Sequence, residues 1–167
     1  ESLRATQVLA AGRSWCVPKS VLLAALCRAV GIPCRLCYAN VRNHMATRKL
    51  LDHLGTDVFY YHGYNEIYLR SRWVKATVSF NRTLCDRARL APLDFDGLND
   101  SIYHPFDLAG RRYMEYLHDY GPTADVPYDD LVTKFAEVYP NVQRTDGRGA
   151  GVSGDFESEI EAEAAGA

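Results

Sequence analysis

Two side chains in this sequence are of the types that attack a carbonyl together: a cysteine at the start of a helical pattern and a histidine on a later strand. A thiol attacks only as thiolate, so a reacting cysteine needs a lowered pKa. A helix N-terminus and a nearby imidazolium both lower it. Cys16 directly precedes Val17-Pro18, where the strongest helical pattern of the chain begins. It therefore stands on the positive end of the helix dipole, and backbone amides there can point at a developing oxyanion. Cys27 falls in mid-helix and has neither advantage. Taken alone, Cys16 is equally well explained as a small apolar residue packing beside Trp15.

The partner must be a histidine that the fold delivers. His62 opens the segment HGYNEIYL, which Arg70-Ser71 separates from RWVKATVSF, a hairpin pattern. With that turn, Leu69 faces Arg72, His62 faces Ser79, and Thr77 lies diagonally adjacent on the same face. Thr77 and Ser79 are thus the polar groups offered to the imidazole. An uncharged group fixes a tautomer but stabilises the imidazolium less than a carboxylate does. His44, His53 and His118 read as structural or surface residues. His104, in the loop HPFD, could line the same cleft.

The elements that must hold these groups follow from periodicity. A short helical pattern in residues 1–13 ends near Gly12. Val21, Leu22, Ala25, Leu26, Ala29 and Val30 repeat at helical spacing over residues 17–30. Pro18 suits the first turn, and Gly31 with Pro33 stop the helix. Cys34 to Val41 reads as a strand and Arg42 to Leu54 as a loop with a short helix. Val58 to Leu69 and Trp73 to Phe80 form the two hairpin strands. Residues 91–107 read as an ordered loop, Tyr113 to Tyr116 as a strand, and Tyr128 to Tyr139 as a helix opened by Pro127. Residues 1–140 are expected to form one domain. From 141 to 167 the chain is acidic and reads as a disordered tail. It begins with Glu1 rather than Met, which predicts a piece of a longer chain.

Composition narrows the function. The 167 residues carry a net charge of −2, with 47% hydrophobic and 24% charged residues. That charge offers nothing to nucleic acid or an acidic membrane. With no run of 18 apolar residues, no membrane span is expected. Five cysteines, an odd count, point to reduced thiols in a cytoplasm. Cys34-x-x-Cys37 lacks a second ligand pair for zinc, and on a strand its thiols point to opposite faces. Asp94-x-Asp96-Gly97 lacks the spacing of a calcium loop and reads as carboxylates capping their own turn. No metal or cofactor is expected. Arg35 and Glu66 read as a sheet-supporting pair.

Two blocks in this order, GRSWCVPKSVLLAALCRAVGIPCRL (Gly12 to Leu36) and HGYNEIYLRSRWVKAT (His62 to Thr77), resemble the transglutaminase-like superfamily. The text from WVKATVSFN through PLDFDG and DSIYHPFD to MEY is similar to an uncharacterised bacterial subgroup. The resemblance implies an α+β fold with a papain-like core, its N-terminal nucleophile helix packed on an antiparallel β-sheet. It implies a Cys–His–Asp triad, with Cys16 as nucleophile and His62 as base. Thr77 stands where the family has Asp, and Asn81 is a possible substitute. The subgroup has more chain before the helix, so a second oxyanion donor is sought in Gln7 or Trp15. The expected function is a thiol enzyme acting on a peptide or protein amide through an acyl thioester. The alternative is an impaired relative that binds peptide or protein. Substrate, hydrolysis versus transfer, and oligomeric state stay open at this stage.

Overall fold

The computed structural model describes residues 3–139 and 141. Its elements in chain order are α1 (Ala5–Ala11), α2 (Cys16–Ala29), β1 (Cys34–Asn43), α3 (Arg48–Leu54) and β2 (Val58–Leu69). There follow β3 (Arg72–Ala76), α4 (Arg82–Ala88), β4 (Met114–Thr123) and α5 (Tyr128–Val138). The expected tail from 141 onward lies outside the described residues, Asn141 apart. Among the described residues no helix is long and apolar enough to cross a membrane.

The strands form one four-stranded sheet in the order β3-β2-β1-β4, antiparallel throughout. This is the α+β architecture expected, with α2 lying on the sheet. The pleat sends alternate residues to opposite faces. Cys34, Leu36 and Tyr38 of β1 join Val17, Ala24 and Ile67 under α2. Cys37, Ala39 and Val41 join Tyr64, Tyr103, Tyr113 and Met114 on the other face. Cys34 and Cys37 therefore sit in separate core clusters.

The hairpin has the expected register, with Leu69 opposite Arg72 and Asn65 opposite Ala76. Arg70 (φ 48) and Ser71 (φ 65) both take left-handed backbone. That is the two-residue turn whose twist matches the flanking strands, adopted here without glycine. Arg35 binds Glu66 at 2.7 Å across β1 and β2, and its guanidinium lies 4.0 Å from the Trp73 ring centroid.

Three details differ from expectation. The strand expected to run to Phe80 ends at Ala76, because the segment around Ser101 takes over its backbone groups. Thr77 N–H donates to Ser101 O (2.8 Å) and Ser101 N–H to Lys75 O (2.9 Å). Residues 82–88 form a helix that was not expected; it is seven residues long and mostly polar, too short to show a period. His62 does not open its strand but lies inside β2, just after a bulge. Ala39 pairs with His62 while Val41 pairs with Phe59, so β2 carries one extra residue there. Tyr61, at φ 53, takes up the irregularity. Its N–H donates to Asn40 Oδ1 (3.3 Å) and its ring stacks on Tyr120 at 4.4 Å.

Candidate active site

Cys16 is the first residue of α2, and Trp15 before it is extended. The first turn of α2 is seated on β2 at Gly63. A Cβ added to Gly63 would come within 2.7 Å of Ser20 Oγ, 2.9 Å of Val17 Cα and 3.3 Å of Cys16 O. Only a residue without a side chain lets the helix start lie this close to the strand. The residue before Gly63 is His62, so this seating brings the β2 backbone at His62 beside the helix start, while the imidazole itself turns to the other face of the strand.

Two further ties close the site. Lys19 Nζ donates to Ser79 O at 2.8 Å, fixing the chain beyond β3 against the first turn of α2. The His62 ring lies 4.7 Å from the Tyr103 ring, centroid to centroid. Tyr103 also feels the Cys16 sulfur, which opposes ionisation of its phenol after burial, the larger cause. Thiol, imidazole and the Ser79 segment therefore converge on one phenol ring.

The electrostatics depart from the expected activated thiolate. Burial pushes the Cys16 thiol above its ordinary value. The amides of Gly63, Val17 and Cys16 itself pull it down, as does the Lys19 charge, but they do not overcome the burial. The residue as a whole is only half-buried, so it is the sulfur that is crowded. Burial likewise pulls His62 down to about 3. At neutral pH the pair rests as thiol and neutral imidazole. Desolvation penalises any charged form, and here it outweighs the helix start.

The remaining candidates are distributed as follows. Thr77 is buried, and its hydroxyl eases the ionisation of Tyr116. Neither Thr77 Oγ1 nor Ser79 Oγ has a partner at hydrogen-bonding geometry. Asn81 is exposed and caps α4, its Oδ1 accepting from Leu84 N–H at 2.7 Å, which commits it away from the imidazole. His104 is exposed although it adjoins Tyr103. Gln7 is exposed on α1. Trp15 packs its indole on Phe135, 5.7 Å between centroids. Glu115, on β4, pairs with His44 at 2.9 Å. Asp96 caps its own turn, accepting from Leu98 and Asn99 N–H, both at 2.7 Å.

Residues 1–78 match the core of the transglutaminase-like superfamily. Over that stretch the chain is similar to the superfamily. No match was found among curated proteins or solved structures. The transglutaminase-like stretch takes in α1 to β3 and so holds Cys16, His62, Gly63 and Thr77. Tyr103 lies beyond it and was missed by the sequence reading, which singled out the neighbouring His104. No sequence pattern marked it: Ser101 and Tyr103 are buried and His104 exposed only once the loop is folded over the sheet. Lys19 was missed too. A cation in the first turn of a helix opposes the dipole, and that misplacement was the clue.

Proposed function

We propose that this transglutaminase-like domain is a thiol enzyme acting on amide bonds of a peptide or protein. The reading is supported above all by Gly63, whose backbone amide faces the Cys16 sulfur and whose missing side chain seats the helix start on β2 one residue from His62, and by Tyr103, which adjoins both the His62 ring and the Cys16 sulfur. Cys16 Sγ attacks the carbonyl carbon as its proton passes to the His62 ring. The amides of Cys16, Val17 and Gly63 are placed to hold the resulting oxyanion. Collapse breaks the C–N bond, and His62 returns the proton to the departing amine, leaving a thioester on Cys16. Water then releases the acid, or an amine takes the acyl group. Because the pair rests uncharged, proton transfer accompanies attack rather than preceding it. The five cysteines are free thiols, which suits a reducing compartment such as a cytoplasm.

The test is mass spectrometry after exposure to a small activated ester such as p-nitrophenyl acetate. An acetyl group on Cys16, lost in Cys16→Ser and much slower to form in His62→Ala, is the expected result. No adduct, or one shared evenly with Cys27, would sink the enzyme reading. The second reading is then a non-catalytic fold that binds peptide or protein. One observation favours it: Thr77 stands where the superfamily pattern has a carboxylate, so no fixed charge supports an imidazolium.

A further inference from the structure

Behind His62 lies a group of buried polar atoms that lack a partner at hydrogen-bonding geometry among the described residues, although the Tyr116 and Tyr103 hydroxyls lie beside Thr77 and Ser79. His62 Nε2, Thr77 Oγ1, Ser79 Oγ, Ser101 Oγ and Tyr113 OH are all buried without a hydrogen-bond partner. His62, Thr77 and Ser101 are at most 7% exposed. They are neighbours rather than scattered cases. Thr77 N–H donates to Ser101 O at 2.8 Å. Ser79 adjoins the Tyr103 phenol, whose ring lies on His62. Tyr103 connects them, touching the His62 ring at 4.7 Å and the Tyr113 ring at 6.2 Å, with its own N–H on Tyr116 OH at 3.4 Å. A buried polar atom left unpaired is destabilising, and several together would take up much of a domain's small net stability. Buried polar clusters of this kind are ordinarily completed by water making two to four hydrogen bonds.

We infer that the hydroxyls of Thr77, Ser79 and Ser101 hold internal water against His62 Nε2, and that this hydrated group orients the imidazole in place of a carboxylate. Resting on the Proposed function, it assigns Nε2–H to the water and leaves Nδ1 to take the Cys16 proton. The three residues are positioning residues: they act through the ring and touch no substrate. The arrangement carries no net charge, so it sets the tautomer without lending the imidazolium the support of an anion.

The experiment is nitrogen NMR of protein labelled at histidine, which reads the tautomer of His62 without any turnover. In the unaltered protein the Nε2–H tautomer should predominate, with its proton showing cross-relaxation to water. Thr77→Val and Ser101→Ala should each shift the tautomer ratio several-fold, while Thr83→Val, at an exposed position on α4, should not. Thr77→Asp supplies a charge at the same place and should raise the His62 pKa by about 1–3 units. Should Thr77→Val fail to fold, Ser79→Ala and Ser101→Ala each remove a single oxygen and decide the matter. An unchanged tautomer in folded variants, or a crystal structure with Nε2 bonded directly to a protein group, overturns the inference. Failure of Cys16 to form an adduct would leave this result standing, so the two proposals can fail separately.

Discussion

Up to Thr77, the groups that would react sit on regular elements: Cys16 on the first turn of α2, His62 inside β2. After Thr77, the residues that enclose them come mainly from chain with little regular structure. Tyr103 and Ser101 lie in the long connection between α4 and β4. The first region sets which atoms meet; the second sets how dry the meeting place is. The difference teaches that the resting charge of the pair is decided by the covering segment, not by the motif. Helix-start amides favour a thiolate, but burial wins.

Cys16→Ser should cause the largest change, lowering acyl-adduct formation by about 10³-fold or more with the fold unchanged by circular dichroism. Retained adduct chemistry would remove the first region from the reaction. Tyr103→Ala tests the second region. Truncating a buried aromatic should cost about 3–5 kcal/mol in urea denaturation. It should also let the His62 pKa climb from about 3 toward its ordinary value of 6.5. A stable variant with an unmoved imidazole would show that the covering segment does not set the charge.

Acid should separate the regions less severely. The folded imidazole titrates near 3 and the unfolded one near 6.5, so below 6.5 the unfolded state binds the extra proton. Stability is therefore intact above about pH 6.5 and falls on the way to 3, by about 3 kcal/mol between pH 7 and pH 4. His62→Gln should flatten that part of the urea-midpoint profile; an equal slope in both proteins would assign the acid response elsewhere. Gly63→Ala should cost about 1–3 kcal/mol, since the backbone of Val17 cannot yield cheaply. Smallest, Glu66→Gln should cost about 1 kcal/mol, because its partner Arg35 stays partly solvated and keeps its stacking on Trp73.

Much of the first region was legible in the sequence because its signals are local. Pro18 and Gly31 bracket α2, and Arg70-Ser71 fixed the hairpin register to the residue. What escaped depended on distant chain. β3 stops at Ala76 because Ser101, more than twenty residues away, competes for its hydrogen bonds. The raised Cys16 pKa escaped for a similar reason: position on a helix is written in the sequence, whereas desolvation depends on what folds over it. Asn81 could be read as an orienting amide only while α4 went unseen; once that helix exists, the same oxygen is its cap.

The bulge at Tyr61 has an arithmetic consequence for how this strand can vary in length. Ala39 and Val41 share a face of β1, so the extra residue lets their partners His62 and Phe59 share a face as well, although three positions separate them. Losing one residue at 60–61 would remove the bulge and leave a regular ladder with both side chains still on that face, whereas losing two would turn one of them over. Length variation at this point of the strand is thereby confined to the presence or absence of the single bulged residue.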